Sequence, residues 1–149
     1  MKYILGISAY YHDSSVCLFK NGELIFACEE EKFSGLKHDD RFPKLTLKYL
    51  ISEYGITNEN LEGICFYENP KLKWNRVWKN SIYQIYKNPI FSIRSIFKFL
   101  KNRIDFWFNI RKFGLDKIVY TEHHLSHLYY SSATSPYKNA VSLSLDGVG

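Results

Sequence analysis

A β-hairpin near the N-terminus is the feature that most constrains the fold. Residues 14–20 (SSVCLFK) have the alternation of a strand, and residues 23–28 (ELIFAC) form the returning strand. Between them, Asn21-Gly22 supplies the two positive φ values that a type I′ turn requires. Residues 2–8 precede the hairpin as a further apolar run of strand length. The first 28 residues therefore predict three strands, two of them joined by a tight turn.

The rest of the chain alternates helical and strand patterns. Apolar residues recur with helical spacing between Pro43 and Gly55, two residues typical of a helix start and a helix end. The other predicted elements are a strand at 63–67, a helical segment broken near Pro89, a strand at 117–120, a helix at 122–133 and a strand at 140–145. Early strands followed by alternating helices and strands predict an α/β sheet.

Charge divides the chain into an acidic domain and a basic insert. Residues 70–115 hold eleven Lys and Arg against one acid, Asp105, together with all three tryptophans, and the rest of the chain has a net charge of −5. The favoured interpretation is a helical lid that packs Trp and Phe inward beneath solvated charges. The alternative is a surface built on Trp74, Trp78 and residues 106–108 that binds an anionic membrane or nucleic acid.

Length and composition exclude several classes of protein. A chain of 149 residues suffices for one domain with a core and not comfortably for two. No apolar run approaches the roughly 18 residues of a transmembrane helix, and the N-terminal one is too short for a signal peptide. Cys17, Cys28 and Cys65 form no CxxC pair, so neither a zinc ribbon nor a disulfide scaffold is indicated. Three buried thiols in a reducing cytoplasm are expected.

Two polar segments carry side chains that could act chemically. Composition alone favours a solvated connection for the charged residues 29–42. Residues 11–14 (YHDS) lie between the first two predicted strands, and a His beside an Asp can serve as a general base or fill a polar turn. Loop polarity alone favours the turn, so both interpretations of His12 and Asp13 stay open.

His123 and His127 are the first candidate metal ligands. They are four residues apart on a predicted helix, which places both imidazoles on one face about 6 Å apart, close enough to share an ion. A helical wheel places them away from the stripe of Leu125 and Tyr129, which is expected to pack against the domain. His124, between the two faces, is expected to be a supporting or packing residue.

Asp146 is the third candidate ligand. It follows an alternating strand and precedes Gly147, so its carboxylate should emerge at the carboxyl end of a strand, where open α/β sheets bind ligands. Two imidazoles and one carboxylate suit Fe(II), with Zn and Mn as alternatives. An ordinary Asp-Gly turn is the other interpretation of this position.

Four linked segments resemble a known enzyme family. They are residues 3–33 (YILGISAYYHDSSVCLFKNGELIFACEEEKF), 37–43 (KHDDRFP), 122–133 (EHHLSHLYYSSA) and 144–149 (SLDGVG). In order and spacing they resemble the N-terminal region of the NodU/CmcH-type O-carbamoyltransferases, over roughly residues 2–66 and 117–149. The resemblance implies the first lobe of an actin-like ATPase (ribonuclease H-like) fold, with a mixed sheet that begins with a β-hairpin.

The resemblance also implies a chemistry. In this family a YrdC-type domain makes carbamoyl-adenylate from carbamoyl phosphate and ATP, and the domain sampled here passes the carbamoyl group to a hydroxyl of a small-molecule or glycan acceptor. The residues that the resemblance assigns are His123, His127 and Asp146 as ligands of a catalytic iron, His12 at the carbamoyl-transfer site, and Asp13, Lys37, His38, Asp39 and Gly147 in the substrate cleft. Gly35 departs from the pattern, since a basic residue is expected there.

By the same resemblance the chain is an incomplete N-terminal lobe. A second lobe and a YrdC-like domain are expected to follow, so we expect residues 1–149 to be inactive alone and the parent protein to be a cytoplasmic carbamoyltransferase. A tRNA threonylcarbamoyladenosine-type transferase shares the HxxxH helix and is the enzymatic alternative, although residues 37–43 argue against it. A membrane or nucleic-acid binding module based on residues 70–115 is the non-enzymatic alternative.

Overall fold

The computed structural model describes residues 2–145, so Asp146 and Gly147 lie outside the described residues. The elements in chain order are β1 (Tyr3–Ser8), β2 (Ser15–Lys20), β3 (Glu23–Glu29), α1 (Glu31–Ser34), α2 (Lys44–Tyr54), β4 (Leu61–Phe66), α3 (Pro70–Gln84), α4 (Pro89–Lys112), β5 (Ile118–Tyr120) and α5 (His123–Thr134). Across these described residues, no helix is both long enough and apolar enough to cross a membrane.

The five strands form one mixed sheet in the order β3-β2-β1-β4-β5. Strands β1, β2 and β3 pair antiparallel, whereas β4 runs parallel to β1 and β5 runs parallel to β4. The hairpin turn has the predicted geometry, with φ of 52° at Asn21 and 88° at Gly22. This mixed sheet, entered through a hairpin, confirms the predicted fold class, the first lobe of an actin-like domain.

One hydrophobic cluster joins the sheet to α2 and α4. Leu5 of β1 and Ile64 of β4 are fully buried, and Leu47 of α2 and Ile110 of α4 are buried in the same cluster. Burying each such side chain contributes about 1.5–3 kcal/mol to the stability of the fold. Helix α2 ends where the sequence predicts, at Gly55, whose φ of 58° lies in the left-handed region.

The three thiols are free and half-buried rather than buried. Cys17 alternates with the buried residues Val16 and Leu18 along β2, and therefore points to the other, less covered face of the sheet. Burial still raises the pKa of the Cys17 and Cys65 thiols above their ordinary value.

The charged segment 29–42 is not the solvated connection that composition favoured. It contains the short helix α1, and its side chains Glu30 and Asp39 are buried. The Glu30 carboxylate accepts hydrogen bonds from the backbone N–H groups of Leu45 and Thr46 at 3.0 and 2.9 Å. An anion at the N-terminus of α2 satisfies helix donors that would otherwise lack partners, which explains why a buried carboxylate is stable there.

The predicted strand at 140–145 does not form in the described part of the chain. Ala140–Leu145 has no ladder partner, and Val141 is 97% exposed. The segment contacts α5 instead, with Ser142 Oγ 3.2 Å from Ser132 Oγ and Ser144 Oγ 3.3 Å from His124 Nδ1. A strand needs a partner with free backbone groups over its length, and β5 has only three residues.

The packing predicted for α5 is also wrong. Leu125 and Tyr129 are 40% and 64% exposed, and no residue of the helix is buried. His123 is half-buried, and its ring lies 5.6 Å from the ring of Tyr67. The wheel assumed that the apolar stripe meets the domain, but the side that faces the sheet carries the histidine.

The basic insert folds into two helices that break at the predicted position, with Pro89 in the first turn of α4. Ser81 and Ser92 exchange side-chain to backbone hydrogen bonds where α3 and α4 cross. Phe106 of α4 is buried in the domain core, but Phe108 is 66% exposed. The predicted inward packing of the aromatic side chains therefore holds for Phe106 and not for Phe108.

The tight pairing of β1 with β2 generates a stability prediction. A Cβ added at Gly6 would lie 2.5 Å from Cys17 Sγ, whereas at Gly63 the nearest atom, Lys117 O, would be 3.7 Å away. We expect Gly6→Ala to lower the free energy of unfolding by about 1–3 kcal/mol and Gly63→Ala to be tolerated. Urea denaturation measures both, and adding Cys17→Ala should recover part of the loss. Equal stability of the two single variants would contradict the packing described here.

Candidate functional site

Two loops meet at the carboxyl end of β1. The first spans residues 9–14 and the second residues 35–42. Backbone hydrogen bonds join them, from Tyr10 N to Asp40 O at 2.7 Å and from Ser14 N to Asp39 O at 2.8 Å. Tyr10, Asp13 and His38 all have positive φ, a conformation that is uncommon outside glycine. The loops thus hold residues from two separate sequence motifs against each other.

The Asp13 carboxylate bridges two imidazoles. Its Oδ2 lies 2.9 Å from Nδ1 of His12, and its Oδ1 lies 2.9 Å from Nδ1 of His38. Because an ionised carboxylate has no hydrogen to donate, both Nδ1 atoms must carry one. Each neutral ring is then left with its lone pair on Nε2, the atom that can accept a proton from a substrate. The two histidines predicted from separate motifs therefore belong to one cluster.

The charges of this cluster are coupled. The hydrogen bond from His38 is the largest cause that lowers the pKa of Asp13, and the one from His12 adds to it. The same Asp13–His38 bond raises the pKa of His38 above 6.5, with further attraction from Glu31 and Glu29. A raised histidine pKa stabilises the fold fully at pH values below 6.5, and this contribution is lost as the pH rises through the raised value.

Glu31 is a member of the cluster that sequence reasoning missed. Its Oε2 accepts the backbone N–H of His38 at 3.0 Å, and its Oε1 accepts a hydrogen bond from Lys32 at 2.8 Å. Single ligand atoms of Asp13, Glu31 and His38 lie within 4.8 Å of one another, and each is held by these hydrogen bonds. The run of acids at 29–31 was visible in the sequence, but nothing in it indicated which carboxylate turns toward the loop.

Lys37 and Asp39, two other residues of the predicted substrate cleft, differ in how far they are buried. The Lys37 side chain is exposed, whereas Asp39 is buried and accepts two hydrogen bonds from the Arg41 guanidinium, at 2.8 and 2.6 Å. That guanidinium holds the pKa of Asp39 well below its usual range. Asp39 therefore stabilises the loop. Gly35 has a φ of 69° at the end of α1, which explains a glycine where a basic residue was expected.

His123 and His127 are brought together on α5. Their ring centres are 4.7 Å apart, with the planes nearly perpendicular at 84°. Two imidazoles that each bind one ion through a nitrogen at about 2.1 Å have ring centres roughly 4.6–5.3 Å apart, so the spacing of this pair is compatible with a shared metal. Asp146, the predicted third ligand, lies outside the described residues. The two-imidazole donor set suits Fe(II) or Zn(II).

Tyr67 connects the two groups of histidines. Its hydroxyl donates to the carbonyl of Ala9 at 3.3 Å, at the start of the first loop, and its ring contacts His123. Burial raises the pKa of Tyr67, and the nearby charge of Glu68 raises it further. A tyrosine immediately after β4 was visible in the sequence, but its position against α5 depends on the tertiary fold.

A cavity of about 790 Å³ opens beside the two loops, on the side that faces α4. Polar and charged residues that line it include Tyr10, Asp40, Arg41, Lys98, Lys101 and Asp105. Its volume is within the range of sites for small molecules, roughly 300–1,000 Å³. The Tyr10 hydroxyl donates to Asp105 at 2.8 Å, which ties α4 to the first loop.

Comparison with known families shows to which family the chain belongs. The sequence profile of the carbamoyltransferase N-terminus family matches residues 3–149. The chain belongs to this family. The matched range spans both histidine pairs and the basic insert. The four segments that carried the resemblance in the sequence did not include the insert.

Three relatives are similar over nearly the whole chain. An uncharacterized protein of Synechocystis is 32% identical over 159 residues, covering 100% of this chain and 26% of that protein. The nodulation protein NolNO of Sinorhizobium fredii is 21% identical over 146 residues, covering 95% of this chain and 20% of that protein. An uncharacterized protein of Methanocaldococcus jannaschii is 29% identical over 146 residues, covering 98% and 22%. The chain thus spans about a fifth to a quarter of the length of these relatives.

The Asp13 carboxylate that bridges His12 and His38 generates a prediction for the chain in solution. Asp13→Asn should lower the pKa of His38 toward its ordinary value of 6.5, because the amide has no charge and only the weaker attraction of Glu31 and Glu29 remains. Asparagine also tolerates a positive φ, so the loop should persist. An NMR titration of the histidine rings measures this, with Asp116→Asn as the matched control. An unchanged His38 pKa in Asp13→Asn would contradict the bridge.

Proposed function

We propose that this chain supplies the acceptor-side chemistry of an O-carbamoyltransferase. In the proposed reaction an acceptor hydroxyl oxygen attacks the carbonyl carbon of carbamoyl-adenylate. The bond from that carbon to the phosphate oxygen breaks, adenylate leaves, and the hydroxyl proton passes to a base. The observation that carries the proposal is the Asp13-bridged pair of imidazoles in a chain of the carbamoyltransferase family.

In this proposal His12 is the base. Asp13 holds the hydrogen of His12 on Nδ1, so Nε2 is available to take the proton of the acceptor hydroxyl. His38, with its raised pKa, stays protonated to a higher pH and supplies positive charge beside the reacting groups. Asp13 acts through both rings and is a positioning residue rather than a catalytic one.

We assign metal binding to His123 and His127, with Asp146 as the third ligand, and iron as the metal. Their imidazole spacing of 4.7 Å supports the assignment. When bound, the metal supplies positive charge that stabilises the charge developing on the transferred group. The Tyr67 ring packs on His123 and fixes the orientation of the first ligand.

The acceptor, a polyhydroxylated small molecule or glycan, is proposed to enter through the cavity beside α4. Its lining combines apolar side chains such as Phe42 and Phe97 with charged ones such as Lys101 and Asp105. Carbamoyl-adenylate would be made from carbamoyl phosphate and ATP by a YrdC-type domain of the same protein. Those two substrates favour a cytoplasmic reaction. Lys37, which is exposed next to His38, is proposed to bind the anionic donor.

Metal binding by the two imidazoles of α5 predicts a difference between the two groups of histidines. The chain should bind Zn²⁺ or Fe²⁺, and His127→Ala should weaken binding by about 100-fold or more, because a direct ligand matters at least as much as a supporting group. His38→Ala is the matched control, since His38 lies in the second loop, is bonded to Asp13, and should leave the affinity within a few-fold. Calorimetric titration with each metal gives the affinities. Equal losses in both variants would exclude the assignment.

The role of His12 predicts a separation of the two half-reactions. In the polypeptide produced from the complete reading frame, His12→Asn should slow carbamoyl transfer by about 10²–10⁴-fold, the usual contribution of a general base. Carbamoyl-adenylate formation and metal content should be unchanged. Chromatography of the adenylate and elemental analysis measure the two effects independently.

Two outcomes would overturn this role. If His12→Asn loses its metal, His12 is a ligand. If it transfers at the normal rate, His12 only fills the turn. Transfer to tRNA rather than to a hydroxylated small molecule or glycan would replace the proposed acceptor and leave the role of His12 intact.

A further inference from the structure

Helix α4 presents a continuous apolar stripe to solvent. Its members are Ile90, Ile93, Phe97, Leu100, Ile104 and Phe108, each between 44% and 70% exposed. Steps of three or four residues keep these side chains within roughly 80° of one another around the helix. The residues that attach α4 to the core, Phe106 and Ile110, are 2% and 0% exposed and lie on another face. The stripe is therefore separate from the packing surface of the helix.

A basic edge runs along one side of this stripe. It consists of Arg94, Lys98, Lys101 and Lys112, which lie within roughly 60° of one another around the helix and are all exposed. Within residues 2–145, the ion pairs made by the insert join Lys73 and Arg76 to Glu68, and Asp105 to Lys44. The positive charge of the basic edge is thus left for a partner to neutralise.

The second half of α4 adds aromatic and cationic side chains to the same surface. A shallow cavity of about 690 Å³ there is lined by Arg103, Ile104, Trp107, Phe108, Arg111 and Lys112. Aromatic rings beside Lys and Arg are typical of helices that lie at a membrane surface, where the rings occupy the headgroup level and the cations meet lipid phosphates.

We propose that α4 docks on an anionic lipid bilayer, lying flat in the interface. The apolar stripe enters the boundary between headgroups and acyl chains, and the basic edge contacts lipid phosphates. The positive charge of the basic edge favours an anionic bilayer over the other candidate partners. A second copy packed antiparallel through the same stripe would bring two basic edges together, and a parallel copy would leave both edges without a counter-charge. A nucleic acid would leave the apolar stripe against phosphates. The proposal does not rest on carbamoyl transfer, but its surface adjoins the proposed acceptor site, since Phe97, Lys98 and Lys101 also line the cavity beside α4.

Vesicle binding by the chain tests the proposal. The chain should sediment with phosphatidylcholine vesicles that contain roughly 30% phosphatidylserine, and about 0.5 M NaCl should reduce binding. Ile93→Ser/Ile104→Ser and Arg94→Glu/Lys112→Glu should each weaken binding by about tenfold or more. Circular dichroism verifies that each variant keeps its helices.

Matched controls change the same chemistry elsewhere on the surface. Leu24→Ser/Leu36→Ser removes exposed apolar side chains from β3 and the second loop, and Lys48→Glu/Lys138→Glu makes the same change in net charge. Both should bind vesicles as the unmodified chain does. Equal losses in test and control variants, absence of binding, or equal binding to pure phosphatidylcholine would overturn the proposal. So would self-association without lipid that Ile93→Ser/Ile104→Ser abolishes, or polynucleotide binding that outcompetes vesicles.

Discussion

Strand β1 is hydrogen-bonded on both sides, antiparallel to β2 and parallel to β4, and the positions of both histidine pairs depend on this double pairing. The antiparallel partner returns the chain so that residues 9–14 form a tight loop at the carboxyl end of β1. The parallel partner brings the end of β4, with Tyr67, to the same edge of the sheet. Gly6 permits the close approach to Cys17 that this arrangement needs.

The structure keeps two kinds of histidine apart. His12 and His38 share the Asp13 carboxylate in the two loops, and both rings have their Nδ1 atoms committed to it. His123 and His127 pair on α5, a helix that buries no residue among those described. A ring tied to a carboxylate through Nδ1 suits proton transfer at Nε2, whereas two rings at 4.7 Å suit a shared ion. The proposed function assigns proton transfer to the first pair and metal binding to the second.

Local chemistry was predictable from the sequence, and contacts between distant segments were not. Asn21-Gly22 and Gly55 act through backbone conformation, so the turn and the end of α2 followed directly from residue type. The Asp13–His38 contact joins positions 25 residues apart and depends on two loops with positive φ, which no periodicity reveals. The predicted packing of the Leu125 and Tyr129 stripe on α5 was wrong for a related reason. A helical wheel gives the apolar side of a helix without showing whether anything covers it.

The separation of the two histidine pairs has a direct test. Zinc added to the chain labelled with ¹⁵N in its histidine rings should shift the ring nitrogens of His123 and His127. The nitrogens of His12 and His38 should keep the shifts that they have without zinc, because Asp13 holds the Nδ1 hydrogen of both rings. Zinc-induced shifts at His12 or His38 before those at His123 and His127 would contradict the account.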